Sequence, residues 1–251
     1  VRFAGWGGRR KRGQAMKLDG IRKTLHQVNK IRYRPVLTGR IAQAYFRSLV
    51  LRQPTLRIME FSINTACQSR CDYCYAAKFR RRGDTLLEVE EIAEVWGQAR
   101  RLGAFAALLL GGEPTLHPRL LDILRVLEPR KNIVSFATNS ISLTEDMVVE
   151  MKKLGIFVLY VSMNSVDAEK NDAVRGYRGH LEHVMRVLDL CRKHGLDVVL
   201  PITTSKPLLA DTIELLDFSR KNGFTANIGL FAPTGRAEGR HEELFDDEFW
   251  K

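Results

Sequence analysis

Six short runs of branched and aliphatic residues, alternating with stretches of helical spacing, fix what this 251-residue chain can fold into. The runs start near Leu56 (LRIMEFSIN), Ala104 (AFAALLLGG), Ile133 (IVSFATNS), Ile156 (IFVLYVSMN), Asp197 (DVVLPITTS) and Ala226 (ANIGLFAP). Between them, apolar residues recur at helical spacing over about 85–102, 118–128, 144–154, 180–194 and 208–222. Gly103, Gly155, Gly195 and Gly223 each follow a helical segment, where a left-handed residue closes the last turn. Thr144, followed by Glu145 and Asp146, reads as a helix N-cap with acids in the first turn. Near-continuous apolar strands suit a parallel sheet covered on both faces, so the pattern predicts an α/β fold of parallel βα units. It leaves open whether the sheet is flat or curls toward a barrel. In a barrel-like sheet, chemistry gathers at the C-terminal strand ends.

Charge is spread unevenly over that frame. The net charge is +11, yet residues 1–52 hold 14 of the 40 Lys and Arg and one acid, Asp19. The remainder, with 26 basic and 28 acidic residues, is near neutral. The positive charge therefore belongs to an N-terminal arm. Such an arm could meet anionic lipid or nucleic-acid phosphate, or be the solvated face of helices packed on the body. Ile21, Leu25, Val28 and Ile31 fall on one helical face, as do Ile41, Tyr45, Leu49 and Arg52 with Phe46 and Val50 beside them. Pro35 and Gly39 are expected to separate these two helices. The first fifteen residues, VRFAGWGGRRKRGQA, are expected to lie upstream of the natural start, because Met16 opens a stretch that looks like one. The longest apolar run, 104–110, is seven residues, against the ~20 a membrane-spanning helix needs. No apolar segment follows the basic N-terminus as it would in a secretory signal. A cytoplasmic protein is expected, with peripheral membrane contact through the arm as the alternative. The expected domains are a basic extension over 1–52, a core over 53–240 and a tail over 241–251, the last too short to be a domain.

Cys67, Cys71 and Cys74 lie within eight residues (CQSRCDYC), right after the first predicted strand. In an intracellular chain, clustered cysteines point to metal or redox chemistry rather than disulfides. Three thiolates on one tight loop leave a tetrahedral or cubane site one ligand short, and an open position is what a catalytic metal site needs. The competing reading is zinc, closed by Cys191 or a histidine. Gly111-Gly112-Glu113-Pro114 ends the second predicted strand. Its glycines let backbone approach a ligand with no Cβ in the way, and Glu113 offers a carboxylate to a cation. Alone, it would be an ordinary strand-to-helix turn.

The C-x₃-C-x₂-C loop, with Tyr73 before its last cysteine and GGEP after the next strand, resembles the radical S-adenosylmethionine (radical SAM) superfamily. Within it, the SPASM, pyrroloquinoline-quinone-maturase and molybdenum-cofactor-cyclase-like branches are the nearest in pattern. The resemblance covers residues 56 to about 237, a core domain only. It implies a partial (β/α)₆ TIM-like barrel of parallel strands, here preceded by the basic helical arm. It further implies that Cys67, Cys71 and Cys74 hold a [4Fe–4S] cluster whose fourth iron is chelated by S-adenosylmethionine (SAM). By the family pattern Gly111, Gly112 and Glu113 meet the methionyl ammonium and Tyr73 lies near the adenine. Thr138-Asn139-Ser140 matches a third-strand T-N-G pattern with serine replacing glycine. Ser162 matches a serine that touches SAM, although in VSMNSVD Asn164 could displace it, and Arg175 matches an arginine that pairs with SAM's carboxylate. Ala232-Pro233-Thr234-Gly235-Arg236-Ala237 looks like the P-x-G-R-A segment after the sixth strand.

The implied activity is reductive SAM cleavage to a 5′-deoxyadenosyl radical, followed by hydrogen abstraction. It would be fed by a low-potential donor of flavodoxin or ferredoxin type and directed at a peptide or small-metabolite substrate. The alternatives are a membrane-associated enzyme acting on a lipid and a non-catalytic zinc or iron–sulfur protein. Nucleic acid is set aside, because the basic charge comes with no RNA-binding module. No catalytic residue is singled out. No cysteine follows Cys191, so auxiliary clusters are not expected in this chain. Cys191 shares a helical face with Leu181, Val184 and Leu188 and reads as a core thiol. His180 and His183 read as a surface helix start, and His117 as a local hydrogen-bonding residue.

Overall fold

The computed structural model describes residues 25–82 and 85–246. The six expected strands are all present: β1 (Ile58–Ser62), β2 (Ala106–Leu110), β3 (Ile133–Thr138), β4 (Val158–Val161), β5 (Val198–Thr204) and β6 (Thr225–Leu230). They form one wholly parallel sheet in sequence order, so β1 and β6 pair on one side only and the sheet does not close. This is the partial barrel expected above. The ladder between β4 and β5 ends at Tyr160↔Val199, two residues before Pro201, which has no N–H to donate.

Residues 25–32 are helical (α1). They are followed by α2 (Pro35–Leu49), α3 (Val89–Arg101), α4 (Leu120–Val126), α5 (Glu145–Leu154), α6 (Ala168–Arg175), α7 (His180–His194) and α8 (Leu209–Lys221). Local signals explain their ends. The Thr144 hydroxyl accepts from the Met147 amide at 3.3 Å, and Gly155 and Gly195 close α5 and α7 with φ of 90° and 64°. The main core lies between the sheet and these helices, where Phe136, Leu159 and Leu200 meet Ile123, Leu124, Met151, Val184 and Leu215. Cys191 is fully buried there, and burial pushes its thiol up to about 12.

The arm differs from expectation in part. Pro35 stands at the break between two helices, as expected, and opens α2, as a residue with no amide to satisfy can at N1. Gly39 lies inside α2, which ends at Leu49, leaving Arg52 in a left-handed conformation (φ 52°). The face of α2 that packs is Leu37 and Ala44, set against Phe105 and Ala106 with Ile31, Ile41 and Ile133. Tyr45, Phe46, Leu49 and Val50 stay exposed, as do Leu25 and Val28 of α1. Ile21, Met16 and the first fifteen residues lie outside the described residues.

Part of the arm's charge is used in docking. Lys30 pairs with Asp197 at 2.7 Å, Arg34 donates to the carbonyls of Pro129 (2.8 Å) and Gly155 (3.1 Å), and Arg40 binds Asn132. These cations seat the arm on the N-terminal rim of the strands, opposite the end that carries the motifs. Among the described residues no helix is long and apolar enough to cross a membrane.

Candidate active site

Three loops meet at the C-terminal rim. The chain leaving β1 passes through Asn64 to the cysteine loop, and the chain leaving β2 carries Gly111, Gly112 and Glu113 directly across it. Gly112 N donates to Asn64 O (2.9 Å), Glu113 N to Ala66 O (2.7 Å), and the Asn64 side chain to Glu113 O (2.7 Å). A Cβ on Gly112 would sit 2.1 Å from Ala66 O, and one on Gly111 (φ 145°) 2.5 Å from Asn64 O. The glycines are thus demanded by the backbone just ahead of Cys67, a close approach to protein that the sequence alone did not announce, and both also line the cavity described below.

Glu113 is 1% exposed and acts as a knot between loops. Its Oε1 accepts from Thr115 N (3.1 Å), Thr115 Oγ1 (2.7 Å) and Thr138 Oγ1 (2.7 Å), and its Oε2 from Asn139 N (2.6 Å). Burial holds its carboxyl above the usual carboxylate range, against the downward pull of these bonds. Thr138 and Asn139 therefore serve Glu113 first. The Asn139 amide also reaches the cysteine loop, donating to Gln68 Oε1 (3.2 Å), Ser69 Oγ (3.3 Å) and Cys67 Sγ (3.6 Å).

Ser140 stands at φ 71° and is fully buried, with its hydroxyl unpartnered. That conformation is why glycine suits the position. Ser140→Gly is expected to raise stability by about 1 kcal/mol, read as a higher urea midpoint with an unchanged slope. A lower midpoint would show that the serine is favourable where it stands.

One cavity of about 180 Å³ unites the motif residues. Its lining includes Cys67, Cys71, Cys74, Glu113, Ser162 and Arg175, with Tyr73, Gly111, Gly112, Thr138 and Asn139. Ser162 lines it and Asn164 does not: the Asn164 side-chain Oδ1 instead accepts the Tyr73 hydroxyl at 2.9 Å. All four cysteines are free, and Cys191, remote in the core, cannot complete a site with the other three. Burial raises the Cys67 thiol above its ordinary value, so binding a metal there must expel a proton. Arg175 is 7% exposed and donates to Cys71 Sγ at 3.7 Å, while its buried Nε has no partner. Among the described residues, no three His, Cys, Asp or Glu converge on a point that could hold a single ion. The three thiols line one cavity together.

The expected histidine roles divide. His117 does bond locally, accepting from Arg119 N (3.1 Å) and meeting Leu87 O (3.1 Å). His180 is not at the surface. It is fully buried against Asn171 (3.0 Å), and burial lowers its pKa to about 3. A larger cavity of about 370 Å³ opens at the opposite rim, beside His26, Cys191 and Asp197, and holds none of the loop cysteines.

Asn64, Gln68, Ser69 and Glu60 were not singled out by sequence. Glu60 carries the one charge in any of the six strands. Its register partner is Leu108, while the neighbouring Phe61 and Leu109 point into the core, so Glu60 faces the barrel interior. A charge within an otherwise apolar run, IMEF, was the available signal.

An open parallel α/β half-barrel with a thiol-lined cavity at its C-terminal rim defines a cluster-binding enzyme fold. The model of the radical SAM superfamily matches residues 61–218, and the chain belongs to that superfamily, whose cofactors are a [4Fe–4S] cluster and SAM. A probable GTP 3′,8-cyclase of Thermococcus kodakarensis is 30% identical over 182 residues, 72% of this chain and 59% of that protein. The AdoMet-dependent heme synthase of Methanosarcina barkeri is 25% identical over 187 residues, 74% of this chain and 54% of that protein. The chain thus spans about half the length of the curated relatives it matches. Streptococcus suis SuiB, solved with SAM and with its precursor peptide SuiA, shares the fold. The SAM-bound form has a TM-score of 0.62 at 20% identity over 77% of this chain and 44% of SuiB.

Proposed function

We propose that this chain is a radical SAM enzyme that abstracts hydrogen from a peptide or small-metabolite substrate, with Cys67, Cys71 and Cys74 holding the cluster. The observation that carries this reading is a single cavity that brings three thiols together with a buried carboxylate and a buried guanidinium, Arg175, whose Nε lacks a partner. When bound, cluster and SAM supply reductive cleavage of the C5′–S bond, yielding methionine and a 5′-deoxyadenosyl radical. A low-potential electron donor of flavodoxin or ferredoxin type feeds the reaction.

The protein binds and orients. The Glu113 carboxylate, with Gly111 and Gly112, receives the methionyl ammonium, and Oε2, which takes only one protein donor, is the oxygen with capacity left. Arg175 offers its free Nε–H to the carboxylate. Ser162 and Tyr73 line the remaining wall, and Thr138 and Asn139 hold Glu113 and the cysteine loop in place. On the interior wall, Glu60 favours a substrate that presents a cation or a hydrogen-bond donor. SuiB, with its precursor peptide, supports the peptide class.

Glu113 gives the test a defined pH sign. Burial favours the protonated carboxyl in the empty site, and only the carboxylate attracts an ammonium. SAM affinity should therefore fall as pH drops through Glu113's raised pKa and plateau above it. Glu113→Gln keeps an acceptor for Thr115 and Thr138. It should weaken SAM ten- to a hundredfold in calorimetry, a loss of about 1.5–3 kcal/mol for a charged hydrogen bond, and abolish that pH dependence. Unchanged affinity would remove Glu113 from the SAM site.

A second reading concerns the arm. Tyr45, Phe46, Leu49, Val50 and Leu51 are 42–71% exposed beside Arg47 and Arg52, which suits an anionic lipid surface and a lipid substrate. Deleting residues 1–52 would uncover Phe105 and Ala106, so point variants are needed. Leu49→Glu should cut co-sedimentation with anionic vesicles several-fold and leave neutral vesicles unbound. No sedimentation of the unaltered chain would end this reading.

A further inference from the structure

The sheet is open, so no strand pairing ties its first unit to its last. A turn after β6 makes that connection, and it does so through the cysteine loop. Gly235 stands at φ 66°, and a Cβ there would lie 2.2 Å from Cys74 O and 2.5 Å from the Tyr75 Cα. Arg236 N donates to Cys74 O (3.2 Å) and Arg236 Nη1 to Cys71 O (3.0 Å). One turn on, Arg240 Nη1 reaches the Asp72 carbonyl and carboxylate, each at 3.4 Å. The other side of the loop is held by α6: Arg70 N donates to Arg175 O (3.0 Å) and Asp72 N to Val174 O (3.1 Å). Gly176 (φ 57°) lies so close that a Cβ would sit 2.7 Å from Arg70 O. Two of the loop's amides are thus satisfied by α6, and the carbonyls of Cys71, Asp72 and Cys74 by the turn after β6 and the residues that follow it.

We propose that Gly235 and Arg236 form a clasp that positions the cysteine loop, making the geometry of Cys71 and Cys74 depend on the end of β6. The backbone of Gly235 lies against the loop and Arg236 caps two of its cysteine carbonyls. Arg236 is a positioning residue, acting on the cluster through the peptide units of its ligands. Its guanidinium also sets a positive charge beside those units, which favours the more reduced, more negative cluster. This inference rests on the reading that the three cysteines hold the cluster.

The test uses the full chain reconstituted anaerobically with iron and sulfide. It compares Gly235→Ala, Arg236→Met, Arg236→Lys and, as a control in the last turn of α7 at the opposite rim, Arg192→Met. Folding is followed by circular dichroism, cluster content by iron and acid-labile sulfide, retention by the rate of iron loss to a chelator, and electronics by redox titration with electron paramagnetic resonance. Gly235→Ala should lose iron at least tenfold faster than the unaltered chain. Arg236→Met should lose it several-fold faster and titrate at a more negative potential. Arg236→Lys should recover most of the potential, and Arg192→Met should match the unaltered chain. If Gly235→Ala does not fold, the contrast between Arg236→Met and Arg236→Lys decides. Retention and potential unchanged in both Arg236 variants would overturn the clasp. An unaltered chain that assembles no cluster would instead overturn the reading beneath it.

Discussion

Gly112→Ala is expected to destabilise the fold by about 3 kcal/mol or more and to leave the protein unable to retain iron. The added methyl would sit 2.1 Å from the Ala66 carbonyl oxygen and 2.6 Å from that of Thr65. Neither is the tip of a flexible side chain. Both belong to the strand of backbone that delivers Cys67, and that backbone is pinned by Gly112 N on Asn64 O and Glu113 N on Ala66 O. Relief requires the two loops to part, which breaks these bonds and displaces the first cysteine together with Glu113. Gly97→Ala is the matched contrast. Gly97 lies inside α3, with no atom nearer than 3.9 Å to a new Cβ, and alanine there should stabilise by up to about 1 kcal/mol. Urea denaturation and iron content of the two variants check both signs. A Gly112→Ala protein within 0.5 kcal/mol of the unaltered chain and carrying full iron would show that the crossing can widen without cost.

Cys71→Ala should abolish cluster assembly and SAM cleavage while the chain stays folded. Cys71 is only half-buried at the cavity wall, accepts a long bond from Arg175 and lies outside the packed core, so the core does not depend on it. Cys191→Ala should do the reverse, keeping the cluster and lowering stability, because Cys191 fills the packed space beneath α7. Iron and sulfide content, circular dichroism and the yield of 5′-deoxyadenosine distinguish the two. Normal deoxyadenosine from Cys71→Ala would overturn the assignment of the loop.

What the sequence made legible was whatever is decided locally. Six apolar runs became six strands because a parallel sheet needs them, most of all its central strands β2 to β4, which are largely buried, whereas the edge strands β1 and β6 are mostly exposed. Thr144, Gly155 and Gly195 mark helix ends because capping involves only neighbouring residues. The cysteine loop and GGEP were visible for the same reason, as residue types at fixed spacing. Other features depend on which distant segments meet. The glycines of GGEP answer to Asn64 and Ala66, some 46 residues earlier in the chain and brought alongside by the pairing of β1 with β2. The helix α6 has no apolar stripe, since its buried residues are Asn171 and Arg175, and periodicity could not find it. His180 looked like a surface residue because nothing in its neighbours announces that α6 folds over it. In α2 both faces carry apolar residues, and only the position of Phe105 and Ala106 decides that Leu37 and Ala44 pack while Phe46 and Leu49 face outward.

The most direct test is anaerobic reconstitution of the purified chain with iron and sulfide, followed by dithionite and SAM. Products are read by mass spectrometry and the reduced sample by electron paramagnetic resonance. The account predicts a [4Fe–4S]⁺ signal that shifts when SAM is added, together with 5′-deoxyadenosine and methionine. A colourless protein holding one equivalent of zinc and releasing no deoxyadenosine would contradict it.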